Sequence, residues 1–91
     1  MAYSEIGDAQ NLPVYPIRTV AKLTGVSEGA LRAWELRYGI ILPARTSGGH
    51  RLFSRSDIDR ILQIKHLLQD EGLGMVGVQS VLAGQRNTNH G

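Results

Sequence analysis

The chain has 91 residues, no cysteine and a formal net charge of +2. This length allows one small domain, and the lack of cysteine excludes disulfides, thiolate zinc sites and thiol catalysis. No apolar run reaches the roughly 18 residues that a membrane span needs, and no signal-peptide pattern opens the chain. We therefore expect a cytoplasmic protein.

The positive charge is concentrated in the first two thirds of the chain. Residues 15–55 contain seven Lys and Arg against two Glu, whereas four acidic residues follow between positions 57 and 71. A basic segment followed by a more acidic one is typical of a surface that meets a polyanion, although an ordinary solvated face can have the same composition.

The first predicted elements form a helix-turn-helix. Residues 1–14 have no sustained period and read as a flexible lead, and a short helix is expected from Ile17 to Leu23. Gly25 supplies the positive φ of a sharp turn, and Ser27 can cap the helix that follows. Two short helices joined by a glycine-containing turn, with small Ala21 at their crossing, are typical of this motif.

The second predicted helix, about residues 27–38, has two distinct faces. At 100° per residue one side is apolar and should face the core: Ala30, Leu31, Trp34 and Tyr38. The opposite side is small or charged: Glu28, Gly29, Arg32, Ala33 and Leu36. Such a face can enter a DNA major groove, with Arg32 on a guanine or a phosphate. The alternative is a solvated Arg32 paired with Glu28.

A β-hairpin is predicted for about residues 44–53. Ile40 to Pro43 read as an extended connector, and two short extended pieces flank a Ser47-Gly48-Gly49 turn. Arg45, His50 and Arg51 lie on the arms, so the hairpin can serve as a cationic wing or simply be a surface turn.

Two further helices should brace this unit. Ser54 with Asp57 forms a capping box at the start of an amphipathic helix that stops at Gly72. A last helix is expected from Met75 to Leu82, and residues 83–91 are predicted to be a flexible tail or truncated linker. The expected domain therefore covers residues 15–82. Its fold class is mostly α with a small β-hairpin, a winged helix-turn-helix of about four helices.

At this point a string of motifs resembles the N-terminal DNA-binding domain of MerR-type transcriptional regulators. The motifs are Val26-Ser27, Leu31-Arg32, Trp34-Glu35, Pro43-x-Arg45-Thr46, Gly49-His50-Arg51-Leu52-Phe53 and Ser56-Asp57-Ile58. Within the family, Trp-Glu, Arg-Tyr-Gly and Gly-Gly-His-Arg are most similar to the group of CarA, CarH, LitR and MlrA.

The resemblance implies a sequence-specific DNA-binding domain of a bacterial, nucleoid-associated regulator that acts as a repressor. It implies that the second helix lies in the major groove and the wing on the neighbouring minor groove or backbone. The residues that it assigns to DNA are Arg18, Lys22, Ser27, Glu28, Arg32, Arg37, Tyr38, Arg45, Thr46, His50 and Arg51. The implied partner is a pseudo-palindromic double-stranded operator. These residues alone should be monomeric, and the full-length protein a homo-oligomer.

The resemblance also bears on cofactors and other partners. No cofactor or metal is expected in these residues, while full-length relatives can bind cobalamin through a separate C-terminal domain. The basic face could also accept an acidic, DNA-mimicking antirepressor. Two alternatives stay open, an excisionase-like DNA-bending factor and a protein-interaction module. An enzyme is disfavoured because the three histidines are scattered and no nucleotide-binding glycine loop is present.

Overall fold

The computed structural model describes residues 9–88, with side chains up to residue 85. The predicted fold class is confirmed, because the described residues form four helices and a small antiparallel sheet. In chain order the elements are β1 (Tyr15–Pro16), α1 (Ile17–Thr24), α2 (Glu28–Leu36), β2 (Ala44–Arg45), β3 (Arg51–Phe53), α3 (Arg55–Gln69) and α4 (Met75–Thr88). Among the described residues, no helix combines the length and apolarity required to cross a bilayer.

The turn between α1 and α2 is held by buried polar contacts. The hydroxyl of Thr24 donates to the carbonyl of Val20 at 2.8 Å and accepts from the backbone N–H of Val26 at 3.2 Å. Gly25 follows with φ 76°, the left-handed conformation predicted for it. From α3, Nζ of Lys65 donates to the carbonyl of Thr24 at 2.8 Å, so the end of α1 is tied to the long helix.

Helix α2 has the predicted cap and the predicted faces. The Ser27 hydroxyl accepts from the N–H of Ala30 at 3.0 Å and satisfies one of the free donors at the helix start. Leu31 and Trp34 are buried, while Arg32 and Leu36 are exposed on the opposite side.

The hairpin is confirmed, and the sheet contains a third strand that the sequence pattern did not indicate. The strand order is β1-β3-β2, with Tyr15 opposite Phe53 and Ala44 opposite Leu52. A two-residue strand has too little periodicity to be predicted. Pro16 lacks an N–H donor and therefore fits only at the edge of a sheet, where it lies.

Helix α3 carries the core on one face. Both bonds of the capping box are present, since Ser54 Oγ accepts from the N–H of Asp57 and Asp57 Oδ2 accepts from the N–H of Ser54. Residues from α1, the turn after it, α2, the connector, β3, α3 and α4 pack together in one core: Val20, Val26, Leu31, Trp34, Ile40, Ile41, Phe53, Ile58, Ile61, Ile64, Val78 and Leu82.

Both ends of the described chain contact helix α3. Helix α4 continues to Thr88, so the predicted end at Leu82 was wrong, and Gln63 on α3 donates to Gln85 at 2.7 Å. The apolar period of α4 stops at Leu82, and the contact with Gln63 stabilises the helix beyond that point. Near the other end, the carbonyl of Gln10 accepts from the N–H of Ser56 at 2.9 Å. Residues 1–8 and 89–91 lie outside the described residues, and the domain limits stay predictions.

Candidate nucleic-acid interface

The outer face of α2 is open to solvent. No atom outside the helix backbone lies within 4 Å of the place where a side chain at Gly29 would begin. Arg32 is exposed, and its Nη2 lies 3.1 Å from Oε1 of Glu28, one turn earlier. This is the pairing that the solvated alternative predicted. Because an exposed i,i+4 pair contributes only about 0.3–0.5 kcal/mol, it leaves Arg32 available to a stronger partner.

A second set of predicted residues meets at the turn between α1 and α2. Arg18, Lys22, Ser27 and Glu28 line one open groove of about 320 Å³. Arg18 and Lys22 are exposed and form no ion pair with another described residue. The helix-turn-helix thus brings two free cations beside the start of α2, where backbone N–H groups also favour an anion.

Two predicted contact residues, Arg37 and Tyr38, follow the end of α2 and differ in exposure. Arg37 is exposed, with its guanidinium carbon 6.0 Å from the centre of the Tyr38 ring. Tyr38 is half-buried against the core, and its carbonyl accepts from Gln79 of α4 at 3.3 Å. Arg37 can therefore reach a ligand freely, whereas Tyr38 has a packing role as well.

The tip of the wing is a closed turn. Two hydrogen bonds join Thr46 and His50. The N–H of Thr46 donates to the carbonyl of His50 at 2.8 Å, and the side-chain hydroxyl of Thr46 accepts from the N–H of His50 at 3.1 Å. Gly49 has φ 86°, as the last residue of a three-residue hairpin loop requires. The exposed His50 side chain stands beside this turn.

The arms of the wing are held by a residue that sequence reasoning missed. Glu35 of α2 accepts from Nε of Arg51 and, at 3.1 and 3.3 Å, from Nη2 of Arg45. The side chains of Glu35 and Arg51 are 13% and 14% exposed, against 40% for Arg45. A signal was present, since Arg45 and Arg51 stand equally far from the centre of the Ser-Gly-Gly turn and so become cross-strand partners.

The predicted contact residues thus fall into two adjoining groups. One group lies at the turn and the outer face of α2, and the other lies on the wing, joined to α2 by Glu35. Of the wing residues, Arg51 is largely covered, whereas Arg45, Thr46 and His50 are exposed, with the Thr46 hydroxyl accepting a hydrogen bond within the turn. Whether each residue contacts DNA stays a prediction.

The class defined by this fold is a winged helix-turn-helix protein. The family model described as MerR HTH family regulatory protein matches residues 15–85, and the chain belongs to this family. The family that the motifs predicted is therefore confirmed.

Three relatives place the chain more closely. It is 43% identical over 74 residues to the HTH-type transcriptional regulator MlrA of Escherichia coli K12, covering 81% of this chain and 30% of MlrA. It is 41% identical over 80 residues to the HTH-type transcriptional regulator GlnR of Bacillus anthracis, covering 88% and 60%. It is 43% identical over 60 residues to the HTH-type transcriptional repressor CarA of Myxococcus xanthus, covering 65% and 21%.

MlrA and CarA are two of the four regulators that the motifs resembled most. The sequence identity to GlnR, which is not one of those four, is nearly as high. The relatives are named as transcriptional regulators and not as enzymes. The chain spans from about a fifth to three fifths of the length of these relatives.

Proposed function

We propose that this domain binds double-stranded DNA in a sequence-specific manner and that the protein regulates transcription, as a repressor. Helix α2 enters the major groove with Arg32 toward the bases, and the wing lies against the neighbouring minor groove or backbone. The exposed cations Arg18, Lys22 and Arg37 contact phosphates, which position the domain without reading the sequence.

One observation supports this proposal most strongly. The open face of α2 and the wing lie on adjoining parts of the surface, because Glu35 of α2 bonds both arms of the hairpin. A groove of B-DNA about 12 Å wide admits a helix with small side chains, and Gly29 and Ala33 keep this helix slim beside Arg32. Membership of the MerR family agrees with this arrangement.

The first experiment is an NMR titration of the chain with a short random-sequence duplex, at low salt and then at moderate salt. We expect amide shifts in α2 and in residues 44–53 that fade as salt rises, since counterion release drives phosphate binding. The absence of shifts there at low salt would contradict DNA binding. An operator can then be selected from a random duplex library.

The role of Arg32 can be tested on the selected duplex. We expect Arg32→Ala to weaken specific binding by about 1–3 kcal/mol, the discrimination carried by a bidentate contact to a base. Arg55 offers a matched control, because it is also exposed and forms an i,i+4 pair, with Asp59 at 3.8 Å, but lies outside the predicted contact set. An equal loss on selected and random duplexes would assign Arg32 to a phosphate instead.

The regulatory proposals extend to partners of the whole protein. We propose that it binds a pseudo-palindromic operator as a homo-oligomer, which predicts higher affinity for two half-sites than for one. The exposed cations also suit an acidic, DNA-mimicking antirepressor, whose binding should weaken on charge reversal at Arg32. CarA is named a repressor. A reporter placed behind the selected operator would test the sign, since loss of this protein should raise expression.

A further inference from the structure

Two arginines of the wing occupy positions that should repel each other. Arg45 on β2 and Arg51 on β3 are direct cross-strand partners, so their side chains project from the same face of the sheet. Like charges placed directly opposite each other destabilise an antiparallel pair. The pair therefore needs a counter-charge, and Glu35 of α2 provides it by accepting from both guanidinium groups.

The same contacts extend from the helix to the tip of the wing. While Nη2 of Arg45 bonds Glu35, its Nη1 donates to the carbonyl of Gly49 at 3.0 Å. Gly49 in turn donates its N–H to the carbonyl of Thr46 at 2.9 Å, which closes the turn. A continuous chain of polar contacts thus connects the backbone of α2 with the residues that point outward at the wing tip.

We propose that Glu35 is a positioning residue for DNA recognition, which fixes the wing relative to α2 so that both fit one duplex at the same time. The proposal rests on the proposed DNA-binding function and adds a role for a residue that does not itself meet DNA. Arg51, 14% exposed and bonded to Glu35, acts with it in positioning the wing.

The proposal and simple electrostatics predict opposite results for loss of the Glu35 charge. DNA is a polyanion, so removing an acidic residue from the neighbourhood of its binding surface should strengthen binding. If Glu35 positions the wing, its neutralisation lets the two arginines separate and the hairpin move. Affinity for the selected duplex then falls although the domain has become more positive.

The test compares Glu35→Gln with Asp59→Asn in this chain, on the selected duplex and on a random duplex of equal length. Asp59 is a matched control, since it is an exposed acidic residue, 63% accessible, paired with Arg55 outside the predicted contact set. For Glu35→Gln we expect the ratio of specific to random affinity to fall about tenfold, the scale of a lost contact. For Asp59→Asn the ratio should not change.

A second measurement does not require DNA. We expect amide hydrogen exchange at Thr46 and Gly49, whose N–H groups close the turn, to become faster in Glu35→Gln and to stay as in the wild type in Asp59→Asn. If the wild-type chain binds no duplex, the proposed function fails, and the exchange data still test the contact between helix and wing. If the wild type binds but both variants behave alike, the positioning role is refuted.

Arg51→Lys provides a milder variant should Glu35→Gln fail to fold. Lysine keeps the charge but lacks the planar fork that matches a carboxylate. Positioning predicts a lower specific affinity with an unchanged salt slope, because no phosphate contact is lost. An unchanged specific affinity in the folded Arg51→Lys variant would overturn the proposal.

Discussion

Replacement of Thr24 by valine tests the hydrogen bonds that hold the turn between α1 and α2. The side chain of Thr24 is 2% exposed, and its hydroxyl serves both the carbonyl of Val20 and the N–H of Val26. Valine has nearly the same shape, so the substitution removes the two bonds and leaves the packing of the turn largely intact.

The expected magnitude follows from the groups that lose a partner. Val26 is 7% exposed, and the only hydrogen bond from its N–H within the described residues goes to Thr24. A buried donor without a partner costs about 1–3 kcal/mol, and the extra buried methyl group returns about 0.8 kcal/mol. We therefore expect the free energy of unfolding to fall by about 0.2–2.2 kcal/mol.

Urea denaturation followed by the fluorescence of Trp34, the single tryptophan, measures this change. In a domain of this size each kcal/mol also lowers the melting temperature by about 4–8 °C. Thr19→Val is the matched control, since Thr19 lies in the same helix, is half-buried and makes no side-chain hydrogen bond to another described residue. A Thr24→Val protein as stable as the Thr19→Val protein would refute the reasoning.

Three further substitutions test the fold by urea denaturation followed by circular dichroism, because Trp34→Ala removes the single tryptophan. Trp34→Ala, at a site 6% exposed, should lower the free energy of unfolding by about 3–5 kcal/mol, and circular dichroism that shows a fully stable fold would contradict the assigned helix face. Ser54→Ala removes one side of the capping box and should cost about 1 kcal/mol; no change in the urea midpoint would mean that the cap is dispensable. Gly25→Ala should lower the free energy of unfolding more than Gly39→Ala, although both glycines have positive φ. Only at Gly25 would the new Cβ lie 3.0 Å from Nζ of Lys65. Equal losses in the two variants would show that this contact does not affect stability.

Local chemistry explains why the helix-turn-helix could be predicted from the sequence. The position of Gly25, the cap at Ser27 and the capping box at Ser54 depend on residues at most four positions apart. The faces of α2 follow from the helical period, which places Leu31 and Trp34 in the core and Arg32 outside. The hairpin follows from two glycines between short extended pieces.

Sequence reasoning treated the cations of the wing as equivalent. The structure separates them, since Arg51 is covered by α2 while His50 is exposed. A charge count cannot make this distinction, because it does not include the direction in which a side chain points or what packs over it.

The sequence alone determined the helices, the turns, the basic surface and the family of this protein. The tertiary structure decided the features that join distant segments: β1 on β3, the continuation of α4 beyond Leu82, and the contacts of Glu35 with both arms of the wing. Each of these depends on partners at least ten positions away along the chain, as with Glu35 and Arg45. Short-range propensities do not predict such pairs, because these contacts form only when the hydrophobic core brings the elements together.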